Sequence, residues 1–316
     1  MAKTFHYGGQ ALIEGVMMRG QKHQAIAVRL PDGGLSVTCQ PIPRIYTGRL
    51  REFLFLRGMI ILVETLTLGM KALFYSANAQ LGKEEELSKG SLWGTLTLAL
   101  GFAVGLFFIA PLLLARLLGS LISSALIVNI IEGVIRLGIL IVYLWSIGLS
   151  KEISRVFAYH GAEHKAVNAY EGGVDLEVAK VREFSTAHVR CGTSFLLAVV
   201  IVAIFVFALF GRPALWLSIV LRIVLLPVIA SLGYEFIRLS AEQATTRFMR
   251  PLMAPGLALQ SLTTREPDDS QLEVAISALR EVIQADNPLP QPQNVSPPAE
   301  TGTALEPKHL DASQPL

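Results

Sequence analysis

"LWGTLTLALGFAVGLFFIAPLLLA", residues 92 to 115, contains no charged side chain. As a helix its roughly 24 residues reach about 36 Å, enough to cross a bilayer with some tilt. Three further apolar runs follow. Ala125 to Leu149 is of similar length, Thr193 to Phe210 is shorter, and Ala214 to Gly233 comes after a tight Gly-Arg-Pro turn. The chain of 316 residues is 52% hydrophobic and 16% charged, more apolar than a soluble core requires. Short connections join the first run to the second and the third to the fourth. The expected fold is mainly α, a polytopic membrane protein of two transmembrane helical hairpins (four spans) with a small cytoplasmic N-terminal β element.

Lysine and arginine set the orientation. Eleven precede Leu92, six lie between Ser150 and Gly192, and six follow Gly233, whereas the hairpin turns hold Arg116 and Arg212. Both termini and the middle loop are therefore expected on the cytoplasmic side. The opening "MAKTFHYGGQ" has no apolar h-region and no cleavage site, so insertion is expected from internal segments. A net charge of +2 gives no argument for nucleic acid, and no G-x-x-x-x-G-K-[ST] occurs, so no nucleotide site is expected. Cys39 and Cys191 form no disulfide framework, which fits a reducing compartment.

Around the spans the chain divides into residues 1–52, 53–91, 92–149, 150–192, 193–235, 236–286 and 287–316. In the first, "QAIAVRLPDGGLSVTCQPI" alternates apolar and polar residues about a Pro-Asp-Gly-Gly turn and predicts a β-hairpin. "GGQALIEGVMMRG" upstream reads as a strand leading into a turn. Residues 53 to 74 carry Arg57, Glu64 and Lys71 at intervals of seven, one polar stripe on a helix that lies in the interface or packs beneath the spans. In the sixth, Leu272, Ile276, Leu279 and Ile283 share a helical face, with Asp269 or Ser270 as cap. Residues 270–284 thus offer a docking face to a partner or to the chain itself. The proline-rich tail reads as disordered.

The middle loop carries the chemistry. "YHGAEHKAVNAYE", residues 159 to 171, places His160 and His164 four apart, so that a helix aims both at one point, with Glu163 alongside. "HGAEH" matches H-x-x-E-H, in which two histidines hold zinc and the glutamate is general base. Histidines on a solvated helix beside a membrane give the same letters without a metal. "STAHVRCGTSF", residues 185 to 195, adds His188 and Cys191 in the same loop. Three ligands and a water make a catalytic site; all four of His160, His164, His188 and Cys191 make a closed structural one. Spacing leaves both open.

Together "GGQALIEGVMMRG", "FLRGMIILVETLTLGMKAL", "YHGAEHKAVNAYE", "HVRCGTSF" and "TTREPDDSQLEVAISAL" resemble the YqhQ-like family of bacterial membrane proteins, in one order over roughly residues 6 to 284. That family is a domain of unknown function described as predicted metal-dependent enzymes. The resemblance implies a bacterial cytoplasmic membrane, a metal site at His160, Glu163, His164, His188 and Cys191, and an enzymatic role without a defined substrate.

Other polar residues stand in apolar surroundings. Glu132 and Arg136 lie four apart inside the second span, and each charge there costs about 2.5–3.5 kcal/mol unless paired. Arg222 in the fourth span is a further partner for Glu132. They form either a packing ion pair or a polar conduit or headgroup site. Glu14 and Arg19 flank Val-Met-Met and either complete the site or pair at the surface. Glu171 and Glu235 are spare carboxylates at the same depth.

The expected function is a metal-dependent membrane enzyme, hydrolase or group transferase, working at the cytoplasmic face on an amphiphilic substrate. Zinc is the expected metal, His160, His164 and His188 its ligands, Cys191 a ligand or a neighbour, and Glu163 the base or a fourth ligand. The alternative is a non-catalytic scaffold or assembly factor with a structural zinc. Transport through Glu132, Arg136 and Arg222 ranks below both.

Overall fold

The computed structural model describes residues 5–48, 51, 53, 56–81, 89–119, 122, 124–243 and 249–287. The proline-rich tail after residue 287 lies outside them. β1 (Gly8–Leu12), β2 (Gly15–Arg19), β3 (His23–Arg29) and β4 (Leu35–Pro41) form an antiparallel meander in chain order. The hairpin at Pro31–Gly34 closes as expected, with Leu30 N–H donating to the Gly34 carbonyl and Gly33 at φ +85°. The β1–β2 turn is tighter. Leu12 pairs with Gly15, leaving Ile13 and Glu14 in the loop, and Glu14 takes φ 51° without being glycine. Such a residue needs outside support to hold a left-handed backbone.

Alternation sends the strand side chains to two faces. Val16, Met18, Ala25 and Ala27 face one way and join a core with Tyr159, Val167, Leu272, Ile276 and Leu279. Leu12, Met17, Ile26 and Val28 face the other way and pack against Ala72. Helices therefore cover both faces, and the sheet is the middle of three layers.

The helices run as follows: α1 (Arg44–Thr47), α2 (Leu56–Gln80), α3 (Lys89–Val104), α4 (Ala110–Gly119), α5 (Ala125–Ile147), α6 (Lys151–Glu171), α7 (Val178–Val181), α8 (Gly192–Ala208), α9 (Leu215–Val224), α10 (Leu226–Glu242), α11 (Met249–Gln260) and α12 (Asp269–Asp286). A π-helical turn, Gly105–Ile109, joins α3 to α4. Pro111 has no N–H to give the Phe107 carbonyl one turn back, and Arg136 Nε donates to that oxygen instead at 2.9 Å.

Among the described residues, three helices are long and apolar enough to cross a membrane: Leu56–Gln80, Trp93–Gly119 and Ala125–Ile147. α9 and α10 make a fourth only if counted as one span bent by 49°. Pro227, at the start of α10, cannot donate one turn back, which explains the break. α8 is shorter, at 17 residues. The protein is thus mainly helical, with several apolar helices and a small N-terminal antiparallel sheet. Large apolar side chains such as Leu98, Phe102, Val142 and Phe205 lie exposed on these helices.

Two expectations change. α2 does not carry one wet stripe: Arg57 turns to Glu235 of α10, with Nε donating at 2.5 Å, and Glu64 is buried against Arg19 and Arg51. Only Lys71 of the three stays exposed. The second half of α2 covers the sheet and the first half packs on α10, where Gly58 meets Ser231. α12 starts one residue earlier than expected, for Asp268 is its cap and forms a capping box with Gln271. Its apolar face is filled by the sheet and α6, so the docking face at 270–284 is used by the chain itself.

Candidate metal centre

α6 is capped by Ser150, whose Oγ accepts from Ile153 N–H, and it runs unbroken through the His-x-x-Glu-His stretch. His160 and His164 therefore stack along one face, their ring centroids 4.4 Å apart. His160 Nδ1 is 2.8 Å from the Thr263 carbonyl and His164 Nδ1 is 2.6 Å from the Thr186 carbonyl. A carbonyl can only accept, so each Nδ1 carries the proton and each Nε2 keeps a lone pair for a metal.

Cys191 arrives from the other side as the cap of α8. Its Sγ accepts from Thr193 N–H at 3.4 Å and lies 3.3 Å from His160 Nε2. A helix N-terminus favours negative charge, which suits a thiolate ligand. The donor atoms of His160, His164 and Cys191 all lie within 4.8 Å of one another. His164 and Cys191 are buried, and His160 is part-exposed. Two imidazoles and a thiolate in that space form a donor set for zinc or a similar transition metal.

Glu163 stands beside this group rather than inside it, with Oε2 3.5 Å from His164 Nε2. It is buried beneath β1. A side chain on Gly9 would meet Glu163 Cγ at 2.9 Å and run into the Met17 carbonyl.

His188 is not drawn in. Its ring is 5.6 Å from that of His164, and its Nε2 turns to Glu171 at 3.6 Å. The backbone of His188 is fixed on both sides by the amide of Gln260, which also donates to Ser194 Oγ. Burial alone would raise the Glu171 carboxyl, but the hydrogen bond from His188 and the charge of Arg190 outweigh it and bring the pKa down to about 2.

Glu14 and Arg19 neither pair with each other nor complete the cluster. Glu14 clamps Arg155 through both oxygens, at 2.6 and 2.5 Å, and accepts from Tyr159 Oη at 3.2 Å. Those bonds hold the strained β1–β2 turn to α6 just before His160. The hydrogen bond from Arg155 lowers the Glu14 pKa. Arg19 donates to Glu64 and to the Gly20 carbonyl. Glu132, Arg136 and Arg222 stay in the bundle, where Glu132 accepts from Arg136 at 2.6 Å and from Arg222 Nε at 3.0 Å.

Sequence reasoning missed Thr186, Thr263, Gln260 and Gly9. Two signals were present. In "HGAEH" a Cβ on Gly161 would strike the Arg265 carbonyl, so the glycine lets residues 263–265 cross α6 closely and bring the Thr263 carbonyl to His160. The glycine pair at 8–9 marks the close approach over Glu163.

The family model described as "Protein of unknown function (DUF1385)" matches residues 54–285. The chain belongs to this family. It is also 35% identical over 294 residues to "Uncharacterized protein YqhQ" of Bacillus subtilis (strain 168), covering 88% of this chain and 92% of that one. The resemblance read from the sequence therefore holds. No solved structure matches the chain. The family match takes in all three members of the cluster and begins after the sheet.

Proposed function

We propose that the protein is a metal-dependent enzyme of the bacterial cytoplasmic membrane, a hydrolase or group transferase acting on an amphiphilic substrate at the cytoplasmic face. One observation carries this reading: two imidazole Nε2 atoms and a thiol converge, and each imidazole is oriented by a backbone carbonyl on its far nitrogen. His160, His164 and Cys191 would hold the metal. A divalent ion there supplies Lewis acidity to a water or to a carbonyl or phosphoryl oxygen. Glu163, one residue before His164 and shielded by β1, is placed to hold a proton beside that centre.

The four-span topology and the cytoplasmic termini belong to the same proposal. The lysine and arginine distribution supports them. Trp93 near the start of α3, Trp145 near the end of α5 and Trp216 at the start of α9 are exposed. Such positions suit aromatic anchors at the two interfaces.

The test is elemental analysis of detergent-purified protein beside His160→Ala, Cys191→Ala and Glu163→Gln. The proposal expects about one metal per chain, lost with His160 or Cys191 and kept with Glu163→Gln. Absence of metal from the wild type under every loading condition would sink it. The second reading, a structural zinc in a scaffold, draws on the burial of His164 (2% exposed) and Cys191 (5%). On that reading Glu163→Gln would be silent, while His160→Ala and Cys191→Ala would lose metal and stability together.

A further inference from the structure

At the turn ends of the apolar helices, α4, α5, α8 and α9 enclose a cavity of about 300 Å³. Val128, Phe207, Phe210 and Leu221 give it apolar walls. Three arginines line it, Arg116, Arg212 and Arg222, against a single carboxylate, Glu132. That carboxylate is already shared between Arg222 and Arg136. Arg116 donates to neutral oxygens, the Pro213 carbonyl at 2.6 Å and Ser218 Oγ at 2.8 Å. Asn129, 8% exposed, lines the same cavity, and its Nδ2 makes no hydrogen bond among the described residues.

Arg222 is buried and paired, whereas Arg116 and Arg212 are exposed, so the cavity presents unneutralised positive charge that attracts an anion. The volume sits at the small end of ligand pockets and suits a headgroup. Guanidinium groups take phosphate oxygens in pairs. We propose that this cavity binds the phosphate of an anionic amphiphile, with Arg116, Arg212 and Asn129 donating to its oxygens. A zwitterionic headgroup fits less well, since Glu132 is engaged and no other lining carboxylate can receive an ammonium. Phe207 follows Cys191 by sixteen residues on α8, about 24 Å of helix. The cavity is thus separate from the histidine–cysteine centre, and the inference does not depend on a metal.

The test uses the full chain, purified in detergent and returned to bilayers of phosphatidylcholine with rising phosphatidylglycerol. Native mass spectrometry reads retained lipid, thermal unfolding reads stabilisation, and a parallel arm adds inorganic phosphate alone. Arg212→Gln and Asn129→Leu are compared with the wild type. Neither removes a partner of Glu132, and each alone suffices. The expected result is selective retention of phosphatidylglycerol, weakened about tenfold in either variant. Stabilisation by inorganic phosphate without lipid selectivity, lost in the variants, would identify a free anion as the source. Indifference to both anions, or variants that respond like the wild type, would overturn the proposal.

Discussion

His160 Nε2 and Cys191 Sγ face each other across 3.3 Å, one on α6 and the other at the first turn of α8. Two sulfur- and nitrogen-bearing groups so placed either share a hydrogen bond or share a cation. Cobalt(II) distinguishes these outcomes, because a thiolate bound to it absorbs by charge transfer. Cobalt-loaded protein is expected to show that absorption, and both Cys191→Ser and Cys191→Ala to abolish it, with His160→Ala releasing the ion. A spectrum unchanged by Cys191→Ala would remove the sulfur from the centre.

Gly8 and Gly9 are neighbours in sequence and opposites in surroundings. Nothing lies within 4 Å of a Cβ placed on Gly8, whereas one on Gly9 meets backbone and Glu163. Gly9→Ala is expected to cost about 1–3 kcal/mol through forced displacement of β1. Gly8→Ala is expected to be neutral, or to stabilise by a few tenths of a kcal/mol through the unfolded chain. Thermal unfolding of the two variants checks this, and equal effects would mean β1 does not press on Glu163.

Local patterns carried much of this architecture, and distant contacts carried the rest. The runs at 92–115 and 125–149 coincide with apolar helices because an uncharged stretch of that length has few other options. The 214–233 run hid a break, since its apolar letters say nothing of the hydrogen bond Pro227 cannot make. In the loop, four-residue spacing fixed the His160–His164 pair, and Cys191 was found by ligand type. His188 was included on ligand type as well, but its direction is set by Gln260, 72 residues away, and by Glu171. The three-layer arrangement of α2, the sheet and the pair α6–α12 was not legible either. It joins residues such as Met18, Tyr159 and Leu279, and no local period links segments so far apart.

Glu171 makes a pH prediction. Its folded pKa of about 2 lies below its ordinary value of 4.5, with His6, His188 and Arg190 facing it. A depressed carboxylate stabilises the fold fully above its unfolded pKa and loses that contribution as pH falls through the folded one. The stability gap between wild type and Glu171→Gln is expected to shrink steadily from about pH 5 toward pH 2. Unfolding temperatures across that range check it; a gap that widens below about pH 5 would contradict the assignment.

Glu132 serves two arginines, so the three single changes are not equivalent. Removing the carboxylate leaves Arg136 and Arg222 buried with like charge, both under 9% exposed at the side chain. Glu132→Gln is therefore expected to destabilise by about 3–5 kcal/mol, the range for breaking a buried pair. Arg222→Met leaves Glu132 with Arg136, whose Nε remains bonded to the Phe107 carbonyl, and is expected to cost less than half as much. Arg136→Met also strands that carbonyl, which Pro111 cannot serve, and should fall between the two. Unfolding of the three variants in one detergent orders them. If Arg222→Met proved the most damaging, the ion pair with α9 rather than the i, i+4 pair within α5 would be what holds the bundle.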